Sequence, residues 1–444
     1  MFDESDLFRR GLNLQENKDY DQAIRAFSEA LKINPKYTEA YYSRGNCLEA
    51  NGRHEDAIKD YSAVLEYSPG EAVAFYNRGC ARVKLEQYDQ ASTDFNQAIE
   101  SDPKYAKAYY NRGYVSFRQR DLNGAIEDYS RAIEYDSGDA ESYVSRGLAL
   151  ALNGDPDAAI ADYDKAIEIE PDHLKAHGNR GNAYEQRGDL DQAIHEYSEV
   201  IRINPDDGKA YSNRALAQFK KGCYKEAIAD YSEAIRLRSN NARVFYGRGI
   251  AYFRSRETDK AIADFDSALN LDPHQLEALI ARANARSVKG DREAALEDLN
   301  AALKIDDTNA KAWYSRGVLN GKMGADEAAI EDYGKAIELD PWDAQCYCHR
   351  GVVHTRRGNL AEALDDYNKA IEIKSNYVNA YFNRGLVYRI MNNLEKAVED
   401  FSKVLEIDPK YVKAYQNRAV AYQSMGDTSK AKADMAKAKG LGAK

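Results

Sequence analysis

The sequence predicts an all-α chain built from thirteen tandem 34-residue helix–turn–helix units. Three observations predict it. An arginine recurs every 34 residues, at 10, 44, 78, 112, 146, 180, 214, 248, 282, 316, 350, 384 and 418, with no insertion. An alanine keeps the same step, at 23, 57, 91, 125, 159, 193, 227, 261, 295, 329, 363, 397 and 431. Within each unit, small and aromatic residues return at helical spacing between glycine and proline punctuation. A strict period of this length marks a stacked array, because one hairpin cannot bury its apolar face alone.

The fourth unit shows the elements in order. "AKAYYNRGYVSFRQRD" forms the first helix and "LNGAIEDYSRAIEYD" the second. Glycine closes the first helix in many units (Gly52, Gly154, Gly188, Gly222, Gly290, Gly324, Gly358, Gly426), where a left-handed cap favours it. Proline closes the second (Pro35, Pro69, Pro103, Pro171, Pro205, Pro273, Pro341, Pro409). Small residues at unit positions 8, 20 and 27, such as Gly113, Ala125 and Ala132, let the helices approach closely. Glycine at position 8 gives way to alanine in three units (Ala215, Ala283, Ala419). Aromatics at positions 4 and 24, such as Tyr109 and Tyr129, fill the layer, and a tyrosine hydroxyl reaches water from a buried ring.

Counted from Glu4, units begin at 4, 38, 72, 106, 140, 174, 208, 242, 276, 310, 344, 378 and 412, so 4–444 reads as one repeat domain. The last second helix, about 428–439 in "TSKAKADMAKAKGLGAK", places Lys432 and Lys439 where other units keep aliphatic residues, and is expected to act as a polar cap. The ninth unit, Leu276 to Asn309, has no aromatic residue and is expected to be the softest joint.

Arginine at position 7 faces an acid sixteen residues on, at position 23: Asp60, Asp94, Asp128, Asp162, Glu196, Asp230, Asp264, Asp298, Asp332, Asp366, Asp400 and Asp434, with Ala26 the exception. A recurring cation and anion, one on each helix, predict a bidentate ion pair that fixes register rather than a ligand site.

These motifs resemble the tetratricopeptide repeat family, whose aromatic, glycine, alanine and proline positions recur here across all thirteen units. The family more often has leucine at position 7. The resemblance implies a right-handed α-solenoid, a superhelix whose first helices line a concave groove and whose second helices face outward, and it implies binding of proteins or peptides. In the family, positions 2, 5, 6, 9, 12 and 13 line the groove. Fourteen basic and six acidic residues fall there in this chain, a net +8 inside a protein of formal charge −11. A basic groove in an acidic body should draw in acidic segments. The basic residues at position 2 include Lys107, Lys175, Lys209 and Arg243. Position 6 carries Asn77, Asn111, Asn179, Asn213, Asn383 and Asn417, which resemble the asparagine ladders of superhelices in this family. An amide side chain pairs with any peptide backbone. Tyr76 and Tyr110, among the aromatics at position 5, add apolar surface. The family's dicarboxylate clamp is only partly matched, by Asn46, Asn77 and Lys107. Tyr42 and Asn111 stand where the clamp has lysine and arginine.

Other chemistry is not signalled. "QCYCHRGVVH" offers Cys346, Cys348, His349 and His354, but helical spacing separates them, and zinc needs convergent ligands. No phosphate-binding glycine loop or nucleophile set interrupts the repeat. No catalytic residue, cofactor or metal is therefore expected. The negative net charge argues against a general nucleic-acid binder, and no run of 18 apolar residues predicts membrane insertion. The opening MFDESDLFRRG lacks a signal-type apolar stretch, and five cysteines without framework spacing read as reduced, so a cytoplasmic location is expected. The expectation is a non-enzymatic scaffold that holds a protein or peptide partner, preferably acidic. The alternative is an assembly or secretion chaperone that holds a client transiently. A monomer is expected, with ordinary end exposure of Met1, Phe2, Leu7 and Phe8; the alternative is weak self-association through this N-terminal end.

Overall fold

A computed structural model describes residues 3–237 and 241–442. Met1, Phe2, Ala443 and Lys444, which belong to the two ends considered above, lie outside the described residues. The chain divides into two compact units, one ending at Cys223 and the other starting at Tyr224.

The first unit holds six complete helix pairs and the opening helix of a seventh. They are α1 (Glu4–Glu16) and α2 (Tyr20–Ile33), α3 (Thr38–Ala50) and α4 (His54–Tyr67), α5 (Ala72–Lys84) and α6 (Tyr88–Ser101), α7 (Ala106–Arg118) and α8 (Leu122–Tyr135), α9 (Ala140–Leu152) and α10 (Pro156–Ile169), α11 (Leu174–Arg187) and α12 (Leu190–Ile203), then α13 (Gly208–Lys221). The second unit starts with α14 (Tyr224–Arg236). It continues with α15 (Ala242–Arg254) and α16 (Thr258–Leu271), α17 (Leu276–Lys289) and α18 (Arg292–Ile305), α19 (Ala310–Met323) and α20 (Asp326–Leu339), α21 (Ala344–Arg357) and α22 (Leu360–Ile373), α23 (Val378–Ile390) and α24 (Leu394–Ile407), and α25 (Val412–Ser424) and α26 (Thr428–Gly440). Each odd-numbered helix begins where the sequence period starts a repeat.

Helix ends follow local chemistry. Asn34 precedes Pro35 and leaves the helical region (φ −124°, ψ 92°), because proline disfavours a helical residue before it. Its side chain then accepts from the Lys36 amide at 3.1 Å. Asp136 makes the same turn without a following proline, accepting from the Gly138 amide at 3.2 Å. The first helix of each pair ends in a left-handed residue. Gly188 takes it at φ 93°, but Lys18, Glu86, Arg120, Arg256 and Asn392 adopt it without glycine.

Close packing within a pair rests on position 8 meeting position 24. A β-carbon placed on Gly147 would stand 2.7 Å from the Tyr163 ring, and one on Gly79 2.6 Å from Phe95. Where alanine replaces glycine at 283, the position-24 residue is Leu299, which shares a buried cluster with Ala283. The ninth repeat fills its core with aliphatic side chains instead of rings: Leu279, Ile280, Leu299 and Leu303 are buried together, and Phe245, Tyr246 and Trp313 of the flanking repeats pack against them.

The recurrent arginine is a three-helix clamp. Arg112 donates from Nε to Asp128 Oδ2 at 2.9 Å and from Nη2 to Asp128 Oδ1 at 2.5 Å, bidentate across its own hairpin. Its Nη1 donates to Asn96 Oδ1 at 2.6 Å on the second helix of the preceding repeat. The Tyr109 ring lies under the guanidinium, 5.4 Å from its carbon. The same fork joins Arg44 to Asp60 and Ser28, Arg146 to Asp162 and Ser130, Arg248 to Asp264 and Ser232, and Arg418 to Asp434 and Ser402. The third arm comes from position 25, which the sequence reading did not single out. In repeat six the acid is Glu196 and position 4 is His177, which also bonds that carboxylate, Nδ1 to Oε2, at 2.8 Å.

Candidate functional site

Within each unit the first helices of successive pairs touch. In the first unit α1 meets α3, α5 meets α7, and α9 meets both α7 and α11; in the second, contacts run from α15 through α17, α19, α21 and α23 to α25. The candidate ligand face is therefore the odd-helix face of each unit, carrying positions 2, 5, 6, 9, 12 and 13.

The structure shows what the position-6 asparagines do. Asn77 Nδ2 donates to the Tyr42 hydroxyl at 3.0 Å and to Asn46 Oδ1 at 3.3 Å. Asn111 Nδ2 donates to the Tyr76 hydroxyl at 3.1 Å and to the Lys107 carbonyl at 3.0 Å. Both amide protons of Asn111 are thereby used inside the protein, which leaves its oxygen for a ligand. The bonds to Tyr42 and Tyr76 link position 6 to the position-5 side chain of the preceding repeat. The register continues with Tyr110 and Ser145 (3.3 Å) and with Tyr314 and His349 Nδ1 (3.2 Å), and Asn383 Nδ2 lies 3.9 Å from Cys348 Sγ. Burial pushes the Tyr314 phenol up to about 12 and the Cys348 thiol up to about 11. Burial lowers His349, favouring the neutral imidazole. The ladder is thus first an inter-repeat seam. Asn417 turns to its own helix, donating to the Lys413 carbonyl at 2.8 Å. The side chains of Asn179 and Asn213 make no hydrogen bond among the described residues. The seam was missed in the sequence because its partners sit 35 residues apart, one more than a single period, and vary in type.

The cations divide likewise. Lys175 Nζ bonds Glu141 at 2.6 Å, and this bond raises its pKa. Lys220 bonds Glu185 at 2.7 Å, and His54 reaches Glu49 at 2.9 Å, so three of the face's acids are engaged. Lys107 and Lys209 in the first unit, and Arg243, Lys311 and Lys322 in the second, are exposed and form no ion pair among the described residues. Three hollows open on these faces. One of about 230 Å³ is lined by Lys175, Gly178, Asn179, Asn182, Lys209 and Asn213, gathering four of the expected site residues. One of about 410 Å³ includes Lys322, His349, Arg356 and Asn383. One of about 510 Å³ includes Lys311, Tyr314 and Asn284. Tyr76 and Tyr110 are half-buried beside position-24 rings, 6.1 Å from Phe95 and 5.5 Å from Tyr129.

The cysteine–histidine stretch is dispersed. Cys346 is buried and donates to Asp343 at 3.1 Å, while Cys348 packs in a separate buried cluster with Tyr367. No helix among the described residues is long and apolar enough to cross a membrane.

Paired helices in a 34-residue register, clamped to their neighbours by arginine, define an α-solenoid of tandem helical hairpins. The chain belongs to the tetratricopeptide repeat family. Models described as tetratricopeptide repeat match residues 8–72 and 76–140, 140–173, 310–343 and 378–411, 162–195 and 401–433, and 242–275. A model described as TPR repeat matches 181–222, 219–255, 288–324 and 353–389. No curated protein matches the sequence. Among solved structures, the APC/C hetero-tetramer Cut9–Hcn1 is similar over 99% of this chain and 94% of its own, at 14% identity and a TM-score of 0.45. Yeast Tom70 is similar over 92% of this chain and 93% of its own, at 18% identity and a TM-score of 0.45. YrrB, described as a TPR protein with an unusual peptide-binding site, is 27% identical over 42% of this chain and 95% of its own, with a TM-score of 0.38. Such repeats are protein-interaction modules, and the chain is a protein–protein interaction scaffold.

Proposed function

We propose that this scaffold is non-enzymatic and holds an acidic peptide or protein segment on its odd-helix face. The observation that carries the reading is the imbalance of free charge. Lys107, Lys209, Arg243, Lys311 and Lys322 stand exposed without an ion pair among the described residues, while Glu49, Glu141 and Glu185 on the same faces already have partners. Unpaired cations on an otherwise acidic protein attract anionic segments and speed their encounter, with an effect that salt screens. The oxygens of Asn77 and Asn111 and the free amides of Asn179 and Asn213 supply backbone partners.

Fluorescence anisotropy with a labelled glutamate-rich peptide and a lysine-rich control tests this. The acidic peptide should bind the intact chain, and Lys107→Glu with Lys209→Glu should weaken it roughly tenfold, about 1.4 kcal/mol. Equal binding of the basic control, or affinity indifferent to the double reversal, would place recognition elsewhere.

A further inference from the structure

We infer that the hollow in repeats six and seven is a receptor for one tyrosine side chain of the bound segment. The inference rests on the peptide-binding reading and adds a side-chain pocket to it.

It starts from a gap in the ladder. In repeats three and four, a position-5 tyrosine lies beside a position-24 ring: Tyr76 by Phe95, Tyr110 by Tyr129. Its hydroxyl meets the position-6 side chain of the next repeat, as Tyr76 meets Asn111. In repeat six, position 5 is Gly178. A β-carbon built there meets only Val200 Cγ2, at 3.9 Å, so the side chain's place is open space. The hollow left is about 230 Å³, larger than the roughly 150 Å³ apolar cavity that accepts benzene.

The walls match the missing residue. Val200, Tyr197 and Leu174 line the hollow, with Val200 Cγ2 nearest the vacant β-carbon position. Asn213 holds the register position from which Asn111 donates to Tyr76, and here its amide has no partner among the described residues. Asn182 accepts from the Tyr197 hydroxyl at 2.8 Å, which leaves its own N–H groups available. The lining is close to neutral, because Glu141 holds Lys175 and Asp207 stands in the lining with Lys209. A neutral ring with one hydroxyl suits this better than a carboxylate. A tyrosine from the partner would take the place of the ladder tyrosine the chain lacks, burying its ring and accepting from Asn213.

The test uses the full chain and three labelled glutamate-rich peptides that differ only in a central Tyr, Phe or Ala. The Tyr peptide should bind roughly tenfold tighter than the Ala peptide, with Phe between. Gly178→Tyr, which fills the hollow with the chain's own ring, should erase the difference between the three peptides. Equal affinities for the three peptides, or a difference that survives Gly178→Tyr, would overturn the inference while the acidic-segment reading stands. Crystals soaked with p-cresol separate the remaining case. If no acidic peptide binds, p-cresol found in the hollow of the native chain and excluded by Gly178→Tyr would support the pocket against the groove reading. An empty hollow would overturn both.

Discussion

At the scale of the residue, the arginine decides how one hairpin sits on the next. Arg112 spends every guanidinium edge on protein: two bonds to Asp128, one to Asn96, and a ring beneath. Asp128 is buried, so Asp128→Ala would leave a half-buried cation without its counter-charge, a loss of about 3 kcal/mol where partners are this enclosed. Urea titration followed by hydrogen exchange on α8 should find it; an unchanged midpoint would refute the clamp. The third arm makes a separate expectation. Arg350 has no position-25 partner because Gly334 stands there, and its Nη1 lies 3.9 Å from where a β-carbon would sit. Gly334→Ser should therefore stabilise at least as much as Gly334→Ala, about 1 kcal/mol, although alanine is the better helix former. The reverse order in thermal melts would show that the arm contributes nothing. The ion pair was legible in the sequence because both partners keep the period. The arm was not, since Ser, Asn and Asp are ordinary on any exposed helix.

His177 carries the pH dependence at this scale. Its hydrogen bond to Glu196 raises its pKa against burial, and Nε2 faces the Pro171 carbonyl at 2.9 Å. Both ring nitrogens face acceptors, so the imidazolium satisfies them. Glu196 is lowered: burial raises it, but its bonds to His177 and Arg180 prevail. A raised histidine stabilises fully below its unfolded value of about 6.5, and that contribution fades as pH climbs through the folded value. A lowered glutamate stabilises above its unfolded value of about 4.3 and fails as pH drops through its folded value. Repeat six should thus be firmest between these limits. Exchange from α12 should quicken from pH 6 to pH 8.5, after correction for intrinsic rates, and His177→Tyr should flatten that change. Identical profiles would place the titration elsewhere.

At the scale of the element, helix length is set by the fifteenth residue of each repeat. Eight repeats use glycine there in the left-handed conformation, and the other five pay a backbone strain with Lys18, Glu86, Arg120, Arg256 and Asn392. The turn forms without glycine because pair packing fixes where the second helix must begin. Arg120, at φ 67°, is exposed. Arg120→Gly should then stabilise by about 1 kcal/mol, the relief of a left-handed non-glycine residue less the added freedom of the unfolded chain. Differential scanning calorimetry would detect it, and a lower midpoint would mean that Arg120 holds contacts worth more than its strain. The sequence showed where the helices stop in glycine repeats and, through the strict period, in the others. It did not show that Gly79 and Gly147 are small because a specific ring lies on them, since that needs the distance between helices.

At the scale of the whole molecule, a repeat array is as strong as each repeat's contacts with its neighbours. The ninth repeat tests what supplies them. Its lack of aromatic residues suggests a weak joint when the sequence is read alone. In the structure Leu279, Ile280, Leu299 and Leu303 close the space, and Phe245, Tyr246 and Trp313 reach in from both sides. Its arginine keeps the full fork, Arg282 to Asp298 and to Asp266, and Arg286 adds a second donor to Asp298 at 2.9 Å. The same limit governed the candidate site: period places a residue on a face, but whether Asn111 is engaged and Asn213 free depends on the side chain one repeat before. Packing volume and clamp geometry, not ring count, should decide local stability. Amide exchange under native conditions should therefore give α17 and α18 protection equal to that of α16 and α19, within about 1 kcal/mol of opening free energy. Early exchange confined to α17 and α18 would mean that aliphatic packing and two arginines do not replace the missing rings.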